Sequence, residues 1–147
     1  MPARVADLPA LKTVREVIAL HDEVWNRSPG IHDLLLNSTR CFVVRDNKET
    51  VSGYAFVEED RSRGFVELQD IVVSPRSRGQ GYGALLMDAV MTAYPRVKLV
   101  VRAQNAPLVA FYEKLGFVAE GVIENYYDVG EDGLRMTWSR GQGVRRG

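Results

Sequence analysis

Val72-Val73-Ser74-Pro75-Arg76-Ser77-Arg78-Gly79-Gln80-Gly81-Tyr82-Gly83-Ala84 joins a β-branched apolar run to a segment of helical composition through a loop of alternating glycines. Strand, glycine loop and helix in that order is a layered arrangement with a purpose. Glycines let the backbone approach a ligand closely and turn successive N–H groups toward one point. The segment that follows, Ala84-Leu85-Leu86-Met87-Asp88-Ala89-Val90-Met91, has helical composition and spacing. A helix opening directly after such a loop presents free N–H groups and a positive dipole end, which suits phosphate oxygens. Arg78 stands where a cation adds to that field. The loop reads as a pyrophosphate cradle.

Three other readings of the loop have to be weighed, the plainest being a glycine-rich turn that holds no ligand. Gly79-Gln80-Gly81-Tyr82-Gly83-Ala84 also fits GxGxxA, close to a dinucleotide fingerprint, which wants the loop after the first strand and an acidic residue about 20 positions on. Here the next strand ends at Val101-Arg102, where an arginine suits a 2′-phosphate, so this alternative stays open. Too little chain follows the loop for a doubly wound sheet. A phosphate loop of the Gly-Lys-Ser/Thr kind is excluded by the residues themselves.

A second stretch, Arg102-Ala103-Gln104-Asn105-Ala106-Pro107-Leu108-Val109-Ala110-Phe111-Tyr112-Glu113-Lys114-Leu115-Gly116-Phe117, opens and closes a helix. Asn105 is a good N-cap, Pro107 fits a first turn where no N–H is needed, and Gly116 fits the stop. With both stretches in view the chain resembles the GNAT superfamily of acyl-CoA-dependent N-acyltransferases. Arg78-Gly79-Gln80-Gly81-Tyr82-Gly83 matches the Q/R-x-x-G-x-G/A loop of that family, and Asn105 through Phe117 matches its N-x-x-x-x-x-x-Y-E-K-x-G-F segment. The resemblance covers Val51 to Trp138, and its C-terminal half is similar to ribosomal-protein alanine and protein N-terminal acetyltransferases.

The resemblance implies an α/β (mixed α+β) fold with a central twisted mixed sheet of about six to seven strands flanked by about four helices. It implies acetyl-CoA as cosubstrate and a primary amine as acceptor. By the same resemblance Ile71, Val72 and Val73 offer backbone groups to pantetheine amides. Arg78, Gly79, Gln80, Gly81, Tyr82, Gly83 and Ala84 hold the pyrophosphate, and Asn105 and Tyr112 also contact the cofactor. The strand-end mode is strand addition applied to a small molecule.

Tyr112 is the candidate acid. A tyrosine with a pKa near ~10 is protonated at neutral pH, while a thiolate with a pKa near ~8.5 can take its proton. The base is a departure. Where the alanine acetyltransferases carry a glutamate two residues before the strand-ending arginine, this chain has Val100. Glu67 is the replacement candidate, matching the strand glutamate of other GNAT enzymes, with Asp70 as a further option. A substrate α-amine with a pKa near ~8 is already partly neutral at pH 7 and can lose its proton through water.

Glu124-Asn125-Tyr126-Tyr127-Asp128-Val129-Gly130-Glu131-Asp132-Gly133-Leu134-Arg135-Met136 resembles the N-Y-Y…G-E-D-A-x-x-M stretch of protein N-terminal acetyltransferases, where the tyrosines line the acceptor groove. Gly133 stands where that pattern has alanine. The same residues also suit a plain hairpin with two rim aromatics. Tyr126, Tyr127 and Trp25 are the candidate acceptor contacts. The expected acceptor is a protein or peptide N-terminal α-amine, with small amines such as polyamines, amino acids or antibiotics as the alternative. A non-catalytic acyl-CoA-binding module is the reading from outside enzymology.

Composition sets the outer limits. A chain of 147 residues suits one domain, expected over 1–140, with 141–147 as a flexible tail and fraying from Ser139 onward. Nineteen basic and nineteen acidic residues cancel, which argues against nucleic acid as an electrostatic partner. Cys41 lies in an apolar run and suits a buried filler in a reducing, cytoplasmic setting. No apolar run is long enough to span a membrane. His21 and His32 lack metal-ligand spacing, so no metal is expected, and a monomer or homodimer is. Arg40–Arg45, Val51–Glu58, Phe65–Val73, Val97–Arg102, Phe117–Ile123 and Leu134–Trp138 read as strands. Asp7-Leu8-Pro9 reads as the start of the first helix, 33–36 as a second short one, and the first strand of the resembled fold as curtailed.

Overall fold

The computed structural model describes residues 4–7, 11–25, 40–60 and 62–141. Seven strands are formed there: β1 (Arg4–Asp7), β2 (Arg40–Arg45), β3 (Val51–Asp60), β4 (Phe65–Val73), β5 (Arg96–Arg102), β6 (Val118–Asp128) and β7 (Glu131–Ser139). Three helices accompany them: α1 (Leu11–Trp25), α2 (Tyr82–Ala93) and α3 (Ala106–Lys114). The sheet order is β1-β2-β3-β4-β5-β7-β6, antiparallel throughout except where β4 lies parallel to β5. This is the mixed α/β architecture the sequence implies.

Local chemistry shapes each turn. Asp46 closes the β2–β3 turn, its Oδ1 accepting from the N–H of Lys48 at 2.8 Å and of Thr50 at 3.0 Å. The bond from Thr50, ahead of the others, holds its carboxyl below the usual range. Strand alternation then sends side chains to two cores. Phe42, Val44, Ala55, Val57, Val66 and Leu68 face one side with Leu86, Met87 and Val90 of α2 and Tyr112 of α3. Cys41, Val43, Tyr54, Phe56 and Val72 face the other with Val17 and Leu20 of α1. Cys41 is a buried filler there.

Two irregularities of the sheet position the site. Phe56 pairs with Asp70 but Val57 pairs with Leu68, so Gln69 is an extra residue in β4. This bulge breaks the alternation: Leu68 faces the α2 side, and Asp70, two residues on, faces the α1 side. The second irregularity is a parting. β4 and β5 pair only at Val66↔Val97 and Glu67↔Lys98, although β4 runs on to Val73 and β5 to Arg102. Beyond Glu67 the edge of β4 that faces β5 has no strand partner, and a wedge opens between the two.

The structure departs from the sequence reading at both ends of the described residues, and β6 runs on past Ile123 to Asp128. Arg4–Asp7 is a full strand in register with Phe42 to Arg45, so the first strand is present and Asp7 ends it rather than starting a helix. Helix α1 begins at Leu11. At the other end Ser139 belongs to β7, and Arg140 is anchored: its N–H donates to the Pro95 carbonyl at 2.7 Å, and its Nη2 to the Thr92 carbonyl at 2.9 Å and the Met91 carbonyl at 3.3 Å. A cation on the last carbonyls of α2 is a favourable C-cap, and it keeps this stretch from fraying. The short helix expected at 33–36, His32 and the tail beyond Gly141 lie outside the described residues.

Candidate active site

The glycine loop leaves β4 through a one-turn 3-10 helix, Pro75–Ser77, capped by Ser74, whose hydroxyl accepts from the Arg76 N–H. Arg76 is tied to Glu23 of α1 by an ion pair of 2.9 Å, and the Arg78 Nε donates to the Val73 carbonyl at 3.3 Å. Gly79 has φ +80° and Gly81 φ +81°, and a Cβ built on either meets no heavy atom within 4 Å. Both glycines are therefore required by backbone conformation, and the loop they make is open on its outer side. Gly81 caps α2 without a side-chain bond, leaving the first N–H groups of that helix directed into the loop. Gly83 in its first turn lies against Phe111 of α3, 3.5 Å from a built Cβ.

Across the wedge stands α3. Asn105 caps it, its Oδ1 accepting from the Leu108 N–H at 3.2 Å, as the sequence predicts. Gly116, at φ +105°, ends it; its N–H donates to the Glu113 carbonyl, and the Phe117 N–H to the Tyr112 carbonyl. Tyr112 is 3% exposed, packed edge-on between Phe111 and Phe117. Burial, then the charges of Asp70 and Tyr127, push its phenol well above the ordinary tyrosine value. It keeps its proton across the neutral and mildly alkaline range.

Asp70 and Tyr127 act on Tyr112 through their charge. Asp70 accepts a hydrogen bond of 3.1 Å from the hydroxyl of Tyr54, itself fully buried and stacked on the His21 ring at 6.3 Å. His21 is thus a buried packing residue. Glu67, between the inward-facing Val66 and Leu68, also faces the α1 side, with Glu58 opposite on β3 and Lys98 beside it on β5. So Glu67 and Asp70 share a face, and the bulge is what puts Asp70 there.

The tyrosine pair comes from an interruption in β6. Pairing with β7 stops at Ile123 and resumes at Asp128, and Asn125 adopts φ +55°. Asn125 is pinned from both sides: its N–H donates to Asp132 Oδ1 at 2.9 Å, and its Oδ1 accepts from the Gly130 N–H at 2.8 Å. The bulged residues fold over β7 so that the Tyr127 hydroxyl donates to the Val100 carbonyl of β5 at 3.2 Å. Arg102 lies 4.3 Å from the Tyr127 ring and pairs with Glu131. Tyr126 stacks edge-on against Tyr127 at 4.9 Å. Burial, more than Tyr126, raises the Tyr127 phenol, and Arg102 opposes it.

Asp70 and Tyr127 lie near enough to Tyr112 for their charges to act on its phenol, and Glu67 stands at the closed end of the wedge, where β4 and β5 last pair. Trp25 ends α1, and its side chain lies outside the described residues. Sequence reasoning missed Tyr54 as the anchor of Asp70. It also missed that Gly53 matters: a Cβ there would stand 2.8 Å from the Val72 carbonyl. Nothing in a β-branched run reveals either, because each depends on a partner strand. Among the described residues no group of three or more His, Cys, Asp or Glu could hold a metal ion, and no helix is long and apolar enough to cross a membrane.

Comparison with known proteins places this arrangement. Residues 10–117 match the model of the acetyltransferase (GNAT) family. A peptidyl-lysine N-acetyltransferase, YjaB of Salmonella typhimurium, is 30% identical over 112 residues, 67% of this chain and 74% of that protein. The catalytic subunit NAA20 of the N-terminal acetyltransferase B complex of Arabidopsis thaliana is 40% identical over 73 residues, 45% of this chain and 41% of that protein. In fold, the ribosomal-protein-S18-alanine N-acetyltransferase of Escherichia coli superposes with a TM-score of 0.73 over 93% of both chains at 20% identity.

Proposed function

The chain belongs to the GNAT family of acetyltransferases, and from that premise we propose that it carries the acetyl group of acetyl-CoA to the N-terminal α-amine of a peptide or protein. The observation that supports this most is a buried, proton-bearing Tyr112 within electrostatic reach of the β4 carboxylate Asp70 and of Tyr127, on the helix that packs against the open glycine loop.

The residues fit acetyl-CoA, the cosubstrate of the family. The open loop at Gly79 and Gly81, the free start of α2 and the cation of Arg78 suit a pyrophosphate. The unpartnered edge of β4 at Ile71 to Val73 suits the amides of a pantetheine arm. Gln80, Tyr82, Gly83 and Ala84 complete the loop, and Asn105 spends its side chain on the helix cap while standing at the mouth of the wedge.

Acetyl-CoA supplies an activated carbonyl and a sulfur leaving group. Everything else is work for this chain. An incoming ammonium must lose a proton, and Glu67 with Asp70 gives the α1 face two acceptors for it, directly or through water. Asp70 is held in orientation by Tyr54, and Glu67 by its place between two core residues. Tyr112 then gives its proton toward the sulfur side. Its raised pKa keeps the proton present across the working pH range, and the same shift makes it a weaker acid, so the transfer is driven by the charge that builds on the departing sulfur. Tyr127, fixed to the Val100 carbonyl, and Tyr126 border the acceptor's approach.

The similarity to a peptidyl-lysine enzyme supports a second reading, in which the acceptor is a lysine ε-amine. Mass spectrometry of a mixed pool decides between them: peptides with free N-termini and blocked lysines, the converse set, and polyamines. Acetylation of the first set is expected. Modification of the second alone assigns the lysine reading, and polyamine product alone discards the peptide groove.

A further inference from the structure

Position 133 is where the hairpin crosses β7. Gly133 pairs with Arg102 on β5 and with Ile123 on β6, so it lies mid-sheet, fully buried, with a strand on either side. A Cβ built there would stand 2.6 Å from Val100 Cγ1 and 3.0 Å from both Cβ and Cγ of Tyr126. Contacts that short cannot be met without movement, and two of the three atoms are close to the backbone of Tyr126. The space a side chain would take is already filled, from one side by Val100 and from the other by Tyr126.

Val100 serves this crossing twice. Its side chain closes the space over Gly133, and its carbonyl accepts the Tyr127 hydroxyl. The two residues that depart from the resembled enzymes, valine for glutamate and glycine for alanine, are thus in contact with each other. We propose that Gly133 and Val100 form a matched seat that sets the position of Tyr126 and Tyr127 at the acceptor side of the wedge, and so act as positioning residues for acceptor selection. The seat is purely steric, since neither residue carries a reactive group. Its function rests on the reading that the tyrosine pair borders the acceptor.

The consequence for specificity follows from geometry. A methyl group at position 133 lifts the Tyr126 backbone, and the Tyr127 hydroxyl leaves its carbonyl. The acceptor then meets a displaced rim while Tyr112, α3 and the glycine loop stay where they are. Misplacement of a positioning group by about 1 Å can cost a factor on the order of 10².

The test is a cycle of Gly133→Ala, Val100→Ala and the double variant, read in two ways. In spectra of protein carrying 13C-labelled tyrosine, the Tyr126 and Tyr127 signals, assigned by Tyr126→Phe and Tyr127→Phe, should move in Gly133→Ala. They should return toward wild type in the double variant, where the closest clash has been removed. In kinetics with the best acceptor from the pool, Gly133→Ala should raise the acceptor KM about tenfold, with acetyl-CoA affinity unchanged, and the double variant should recover most of it. Unmoved tyrosine signals overturn the seat, whatever the acceptor proves to be. Moved signals with an unchanged acceptor KM overturn its role in selection. Failure of peptides in the pool, with the tyrosine signals still moving, rejects the peptide reading and leaves the seat standing.

Discussion

Tyr112 is protonated at neutral pH as any tyrosine is, and its burial extends that range upward. Desolvation penalises the phenolate, and the neighbouring Asp70 charge adds to it, so the proton is held above the ordinary tyrosine range. The sign matters for the pH profile: a raised pKa keeps the acid form present as pH rises, so no alkaline loss of kcat from this group should appear below about pH 10. Tyr112→Phe should lower kcat by about 10²–10³ with acetyl-CoA affinity intact, within the usual range for a removed general acid; steady-state kinetics and equilibrium dialysis measure the two quantities separately. Comparing Glu67→Gln with Asp70→Asn assigns the proton acceptor: the substitution that lowers kcat identifies the base, and the other should act mainly on acceptor KM. Tyr112 was legible in the sequence because helical spacing from Asn105 and the surrounding motif both point to it. The facing of Asp70 was not, since a single extra residue at Gln69 reverses the alternation on which any reading of a strand depends.

Helices and loops show the same division between local and distant causes. The limits of β2 and β4 agree with the sequence reading to the residue, and α3 begins and ends where its cap and its glycine dictate. These elements are governed by residues within a few positions of one another. Strand β1 reads as curtailed in the sequence because four residues before a leucine-proline pair carry no period of their own; they are a strand because Phe42 to Arg45 offer them an edge. The excursion at Glu124 to Tyr127 is likewise invisible until Asp132 and Gly130 pin Asn125 from across the turn. Two predictions belong to this scale. Asn105→Ala, which deletes the cap of α3, should cost about 1 kcal/mol in urea unfolding. Gly81→Ala, which forces a side chain onto φ +81°, should cost about 1–2 kcal/mol and weaken acetyl-CoA binding, since the loop can no longer hold its shape. Calorimetric titration with acetyl-CoA checks the second effect.

At the scale of the molecule the sheet is divided. Strands β1 to β4 form one antiparallel run and β5, β7 and β6 another, and just two register pairs join them. Helix α2, with Leu86, Met87 and Val90 fully buried, packs against strands of both runs. A cosubstrate seated along the unpartnered edge should therefore stabilise the whole fold. At one hundred times its Kd, acetyl-CoA should add about 2.7 kcal/mol, seen as a raised melting temperature, and NADPH at the same concentration should add nothing.

The short join between β4 and β5 also has a mechanical side. Two plates riveted at one end and free at the other behave as a pair of tongs, whose jaws are the strand ends Ile71 to Val73 and Leu99 to Arg102. An arm gripped between them would cover the amides on their inner lips, and deuterium uptake along these few residues would then track occupancy of the wedge.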